Sequence, residues 1–174
     1  MPNDALQTIM TRSSVRMFLD KPVPDETVEQ LLRAAMAAPS AKNQQPWGFV
    51  VIRDRALLEK LGAALPNAKM TASAPVAVAV CGVLDKALPG EAREYWIQDA
   101  AAATENFLLA VHALGLGAVW TGVHPISERI AILKEALRLP ENVEPFCLIP
   151  FGWPTVPASV KDKWDPAAVH RDVW

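Results

Sequence analysis

An excess of charge of one sign is nearly missing from this sequence: 17 Lys and Arg stand against 19 Asp and Glu, a formal net charge of −2. Without a broad basic face, nucleic acid and anionic membrane are poor candidates for a principal partner, although a local basic cluster can still hold a small anion. Cysteine is scarce. Cys81 in VAVAVCGV and Cys147 in PFCLIPFG sit in apolar contexts without metal-type spacing, which excludes a disulfide scaffold and points to buried thiols in a reducing compartment, the cytoplasm. His112, His124 and His170 are scattered, with no Asp or Glu at ligand spacing, so no metal site is expected. The longest apolar region, from Ile97 to Leu116, is broken by Asp99, Glu105, Asn106, His112 and Gly115. That excludes a membrane span and leaves a buried helix. The first turns, interrupted by Asp4, lack the apolar core of a signal peptide. Neither a G-x-S-x-G elbow nor a G-x-G-x-x-G turn is present, so hydrolase and dinucleotide-fold readings have no residues to stand on.

What is present is one domain's worth of core: 174 residues, 51% hydrophobic, read as a single α/β or α+β domain over residues 1–174. DALQTIM has a short apolar face. PVPDETVEQLLRAAMAAP reads as a helix with Val28, Leu31, Leu32, Ala35 and Met36 on one stripe. WGFVVIR reads as a strand, RALLEKL as a helix capped by Asp54, and APVAVAVCGV as a strand buried on both faces. A long helix from Ala92 to Ala113 follows, apolar or small around most of its circumference, so both faces need cover, and a partner copy would supply it. GLGAVWTG closes that helix at Gly115 and enters a short strand. Ser127 is expected to cap the helix ERIAILKEAL, and EPFCLIPFG is a last strand. The tail 153–174, with three tryptophans, should wrap over a surface of this chain or of a partner copy.

Three polar stretches carry possible chemistry. TRSSVR (11–16) is either a solvated helix end or a phosphate grip, in which Arg12 and Arg16 fork onto phosphate oxygens while Ser13 and Ser14 donate hydroxyls. APSAKNQQPW (38–47) is either an ordinary polar loop or a surface whose Asn43 and Gln45 carboxamides read a planar heterocycle. GLGAVWTG is either a helix cap and turn or a ligand contact.

Taken in order, R-S-S-x-R, A-P-S-A-x-N-x-Q-P-W, A-L-G-L-G-x-x-W and a closing G-W-P with Lys-x-Lys resemble the FMN-dependent nitroreductase family (NAD(P)H:FMN oxidoreductase-like) over essentially the whole chain. The resemblance implies a central, mostly antiparallel sheet flanked by helices, and an interlocked homodimer with a long central helix and FMN sites built from both chains. It places Arg12, Ser13, Ser14 and Arg16 on the FMN phosphate and ribityl chain, with Lys161 and Lys163 closing on the same phosphate. Pro39, Ser40, Ala41 and Asn43 would be the loop that the other subunit lays against the flavin. Lys69, with Asn67 a weaker match, would sit near flavin N1 and O2, and Thr121 and Gly122 where a backbone N–H meets N5. Lysine at 163 stands where the family often has arginine, and the segment from Leu84 to Tyr95 is short compared with family members that carry extra helices over the flavin. Trp120, Trp96 and Trp47 are candidate lining residues, with core packing favoured for Trp47.

The activity so implied is transfer of hydride from NADH or NADPH through flavin N5 to a nitroaromatic or quinone-type acceptor in ping-pong turnover. No side chain need act as acid or base there. A non-catalytic FMN-binding protein is the alternative, as is a specialised branch that dehalogenates or modifies flavin.

Overall fold

Alternation along one strand decides how the domain is layered. In the computed structural model, which describes residues 4–156, 160 and 162–174, β2 (Val76–Val83) sends Val76, Val78 and Val80 to one side of the sheet and Ala77, Ala79 and Cys81 to the other. All of these are buried, as a strand covered on both faces requires. The valine side packs on α2 (Asp25–Met36) and α4 (Tyr95–Ala113) through Leu31, Ala35, Ala103 and Phe107. The alanine side packs on α3 (Arg55–Ala64) and α5 (Ser127–Leu137) through Leu58, Leu61 and Leu133. Phe107 meets Phe151 edge to face at 5.3 Å, and fully burying each such ring is worth about 1.5–3 kcal/mol.

The sheet is antiparallel throughout. β1 (Trp47–Ile52) pairs with β2, β2 with β5 (Val143–Gly152), and the far edge of β5 takes β3 (Gly117–Ala118) and β4 (Thr121–Gly122) one after the other. This is the expected α+β arrangement of a mostly antiparallel sheet flanked by helices. α1 (Asp4–Thr11) lies against α4. Gly115 ends α4 as expected: its φ of 75° is left-handed, and Leu116 N donates to Val111 O at 3.0 Å, which satisfies an orphan carbonyl.

Several details differ from expectation. The long helix begins at Tyr95 instead of Ala92, because left-handed Gly90 (φ 63°) leads into a tighter 3-10 turn over Gly90–Glu94. Ser127 is the first helical residue and makes no side-chain cap bond; Ile126 occupies the cap position. Met36, expected on the core stripe, is 45% exposed because α2 ends there and the chain turns at Ala37. One face of α4 is buried through Trp96, Ala100, Phe107 and Val111. Ile97, Ala101, Ala102 and Ala110 on its remaining circumference are only half-covered by this chain.

The tail starts firmly. Trp153 Nε1 donates to Pro22 O at 3.2 Å, Lys21 Nζ lies 4.1 Å from the ring centroid, and the backbone at 153–155 bonds to residues 17–19. Residues 162–174 then stay exposed, with Trp174 stacked on His170. No helix among the described residues is long and apolar enough to cross a membrane.

Candidate functional site

A cleft of about 590 Å³, within the usual range for small-molecule sites, opens at the β3–β4 edge of the sheet. Four segments build its wall. Arg16 comes from the chain after α1; Asn67, Lys69 and Met70 from the connection between α3 and β2; Trp120, Thr121 and Gly122 from the edge strand; and Arg129 from the first turn of α5. Asn67 reaches its place through a left-handed backbone (φ 60°), which Asn tolerates better than most residues. Three cations and no carboxylate line the cleft among the described residues, and none of Arg16, Lys69 or Arg129 has an ion pair there. The cleft is therefore electropositive.

The strand edge presents one further group. Thr121 faces Leu148 and Gly122 faces Cys147 across the β4–β5 ladder, and Val123 N donates to Phe146 O at 3.3 Å. Antiparallel pairs alternate between bonded and non-bonded, so the peptide groups of Thr121 and Val123 turn toward β5 and those of Gly122 turn outward to the free edge. Thr121 adds its hydroxyl, which donates to Leu148 O at 2.6 Å. Of the two residues expected to offer an N–H, Gly122 is the one whose N–H faces out. A Cβ at Gly122 would meet nothing within 4 Å, so a ligand can come up to this backbone unobstructed.

The structure thus brings Arg16, Asn67, Lys69, Thr121 and Gly122 into one cleft. The other sequence candidates among the described residues do not line it. Arg12 turns back to α4, with Nε 3.3 Å from Glu105 Oε1, and lines a separate crevice with Ser13 and His112. Ser14 is exposed. The His112 ring bonds Thr11 Oγ1 at 2.8 Å, and burial, aided by the Arg12 charge, pushes its pKa below the usual histidine value. Pro39 and Asn43 are exposed, whereas Ser40 and Ala41 are half-buried and shape their own loop. Ser40 Oγ accepts from Gln45 N and Ala41 N donates to buried Asp99 Oδ1, each at 2.9 Å. Lys42, Asn43 and Gln45 all carry positive φ. Lys163 is exposed in the tail, and Lys161 lies outside the described residues.

Trp120 stands at the cleft rim, edge-on to Phe146 at 5.4 Å. Trp96 does not line it: the ring is buried over Gly82, against His124 and Phe146. The absence of a side chain at Gly82 makes room for it in the core. Trp47 is buried, in its core role. Arg129 was not among the sequence candidates. It sits in SERIAILKEAL, where an arginine reads as solvated surface, and no spacing in the sequence links it to Gly122.

Fold and cleft together define an α+β domain with a cation-lined cleft at its sheet edge. The sequence model of the Nitroreductase family matches residues 9–68 and 63–153. A protein of Methanothermobacter thermautotrophicus, provisionally named NADH dehydrogenase/NAD(P)H nitroreductase, is 43% identical over 98% of this chain and 88% of its own length. A protein of the same provisional name from Bacteroides thetaiotaomicron, solved by crystallography, superposes with a TM-score of 0.94 at 42% identity, covering 100% of both chains. A provisionally named nitroreductase of Desulfovibrio desulfuricans, solved in complex with FMN, gives 0.85 at 33% identity over 100% of this chain and 99% of its own. The chain belongs to the nitroreductase family, and with it to the oxidoreductases.

Proposed function

We propose that this chain is a homodimeric FMN-dependent oxidoreductase that takes electrons from NADH or NADPH and delivers them to a nitroaromatic or quinone-type acceptor in alternating turnover. The observation that carries the reading is the cationic cleft at the Gly122 edge. Its residues suit FMN. A phosphate carrying about 1.5–2 negative charges calls for cations without competing carboxylates, and a planar ring acceptor atom calls for a fixed, unobstructed N–H. Bound there, FMN supplies two-electron chemistry at N5.

The remaining work falls to the protein. Arg16 neutralises phosphate or ribityl oxygens. Lys69 places positive charge where reduced flavin gathers negative charge, with Asn67 beside it. Gly122 N–H holds the N5 edge, Thr121 locks that strand to β5, and Trp120 walls one side of the acceptor space. Arg12, Ser13, Ser14, Lys161 and Lys163 are proposed to close on the phosphate, with Arg12 released from Glu105 to do so. Pro39, Ser40, Ala41 and Asn43 are proposed to reach the partner's flavin, which accords with their not lining this chain's own cleft. The exposed tail 162–174 and the half-covered face of α4 are the surfaces a partner copy would bury, completing a single domain over residues 1–174. Two free, buried thiols suit a cytoplasmic setting.

Purification followed by anaerobic addition of NADPH or NADH tests this reading. A yellow protein bleached by either donor supports it. A colourless protein that takes up no FMN refutes the flavin assignment, and a yellow one that neither donor bleaches leaves only FMN binding.

A further inference from the structure

Arg129 enters the cleft wall with a hydrogen-bonding pattern that a surface arginine would not need. Its Nη1 donates to Gly122 O at 2.9 Å, while its Nε is buried without a partner. Gly122 O and Gly122 N–H leave the edge strand in the same direction, because the Gly122–Cys147 pair is the non-bonded one of the ladder. An uncovered edge would offer the cleft an acceptor beside a donor. With Arg129 in place the carbonyl is taken, and the edge presents one N–H donor backed by a fixed positive charge. Among the described residues, neither Glu128 beside it nor any other carboxylate lines the cleft to cancel that charge.

We propose that Arg129 is a positioning residue for Gly122, one that makes this strand edge donor-only and whose positive charge biases the site toward the reduced, more negative form of the flavin. The proposal rests on FMN occupying the cleft, as argued above. Its chemistry is electrostatic and needs no bond to change. A cation on this edge lowers the free energy of the extra negative charge that reduced flavin carries, and that charge sets the sign of the effect; the capped carbonyl leaves Gly122 N–H as the hydrogen-bonding group of the edge.

The test measures the two-electron reduction potential of bound FMN by dye equilibration, together with FMN affinity by fluorescence quenching. Wild type, Arg129→Met, Arg129→Gln and Arg129→Lys are compared. Arg129→Met lacks both donor and charge. It should bind reduced FMN about tenfold less tightly relative to oxidised FMN, equivalent to a potential about 30 mV lower. Arg129→Gln keeps a donor for Gly122 O and so protects the fold if the Met variant does not purify; its potential should fall in the same direction. Arg129→Lys keeps the charge and should stay within about 10 mV of wild type. An unchanged potential in the folded neutral variants overturns the proposal, as does an equal loss of affinity for both redox forms. Wild-type protein that binds no FMN at all is a different result, and it overturns the function proposed above.

Discussion

Asp99→Ala isolates the contact that holds the 40–45 loop to α4. Asp99 is 6% exposed, and its Oδ1 accepts the Ala41 N–H at 2.9 Å. The loop behind that bond includes three residues in the left-handed region, Lys42 at φ 48°, Asn43 at 57° and Gln45 at 49°. Each such residue costs about 1–3 kcal/mol, so the conformation persists only while its anchors hold. A hydrogen bond to a charged group contributes about 1.5–3 kcal/mol. At about 2–4 °C per kcal/mol for a chain of this size, its loss should lower Tm by about 3–12 °C. Asp99→Asn keeps an acceptor oxygen and should recover part of that loss. Differential scanning calorimetry at fixed protein concentration reads the effect, and flavin retained after dialysis reads the consequence for the proposed partner site, which should weaken with the Ala variant. If Asp99→Ala melts within 1 °C of wild type, the loop is held by something other than this bond, and the reasoning is refuted.

Other substitutions probe the cleft and the core. Arg16→Met removes a cleft cation without an ion pair and should weaken FMN binding about tenfold, measured by titrating apoprotein with FMN. A change of less than twofold would take Arg16 out of the phosphate site. His112 has its pKa lowered by burial and then by Arg12, so the folded state resists protonation that the unfolded chain accepts near pH 6.5. Its contribution to stability is complete above pH 6.5 and is lost as pH falls from there through the lower folded value. His112→Gln should flatten the Tm-against-pH curve over that window, and an unaltered slope would contradict the assignment. Gly82→Ala drives a methyl group into the Trp96 ring and should cost about 1–3 kcal/mol in urea unfolding; a neutral result would mean that Trp96 can move aside freely.

Local patterns carried much of the fold. The alternation of VAVAVC, the stripe Val28–Leu31–Ala35, the Asp54 cap, which accepts Leu57 N at 2.8 Å, and the Gly115 helix end all appear where the sequence puts them. The misses share a cause. Ser127, Met36 and the start of α4 lie at element boundaries, where a shift of one to three residues follows from packing of the neighbouring turn, which no local pattern encodes. The site was legible in part. Lys69 and Gly122 carry signals in their own segments once the family resemblance is seen, whereas Arg129 is an ordinary helix arginine until α5 is laid beside β4.

The sequence by itself determined the class: a nearly neutral, cysteine-poor α+β chain whose ordered motifs mark the nitroreductase family. Periodicity and turn residues act over a few positions and survive without tertiary context. Only the tertiary structure decided which motif residues share a space. It gathered Arg16, Asn67, Lys69 and Gly122 around one cleft, turned Arg12 toward Glu105, and buried Trp96. Through the pairing of β4 with β5 it also decided that Gly122, and not Thr121, offers its N–H outward. Those outcomes depend on strand register and on contacts between residues distant in the chain, and neither is written in any short stretch of sequence.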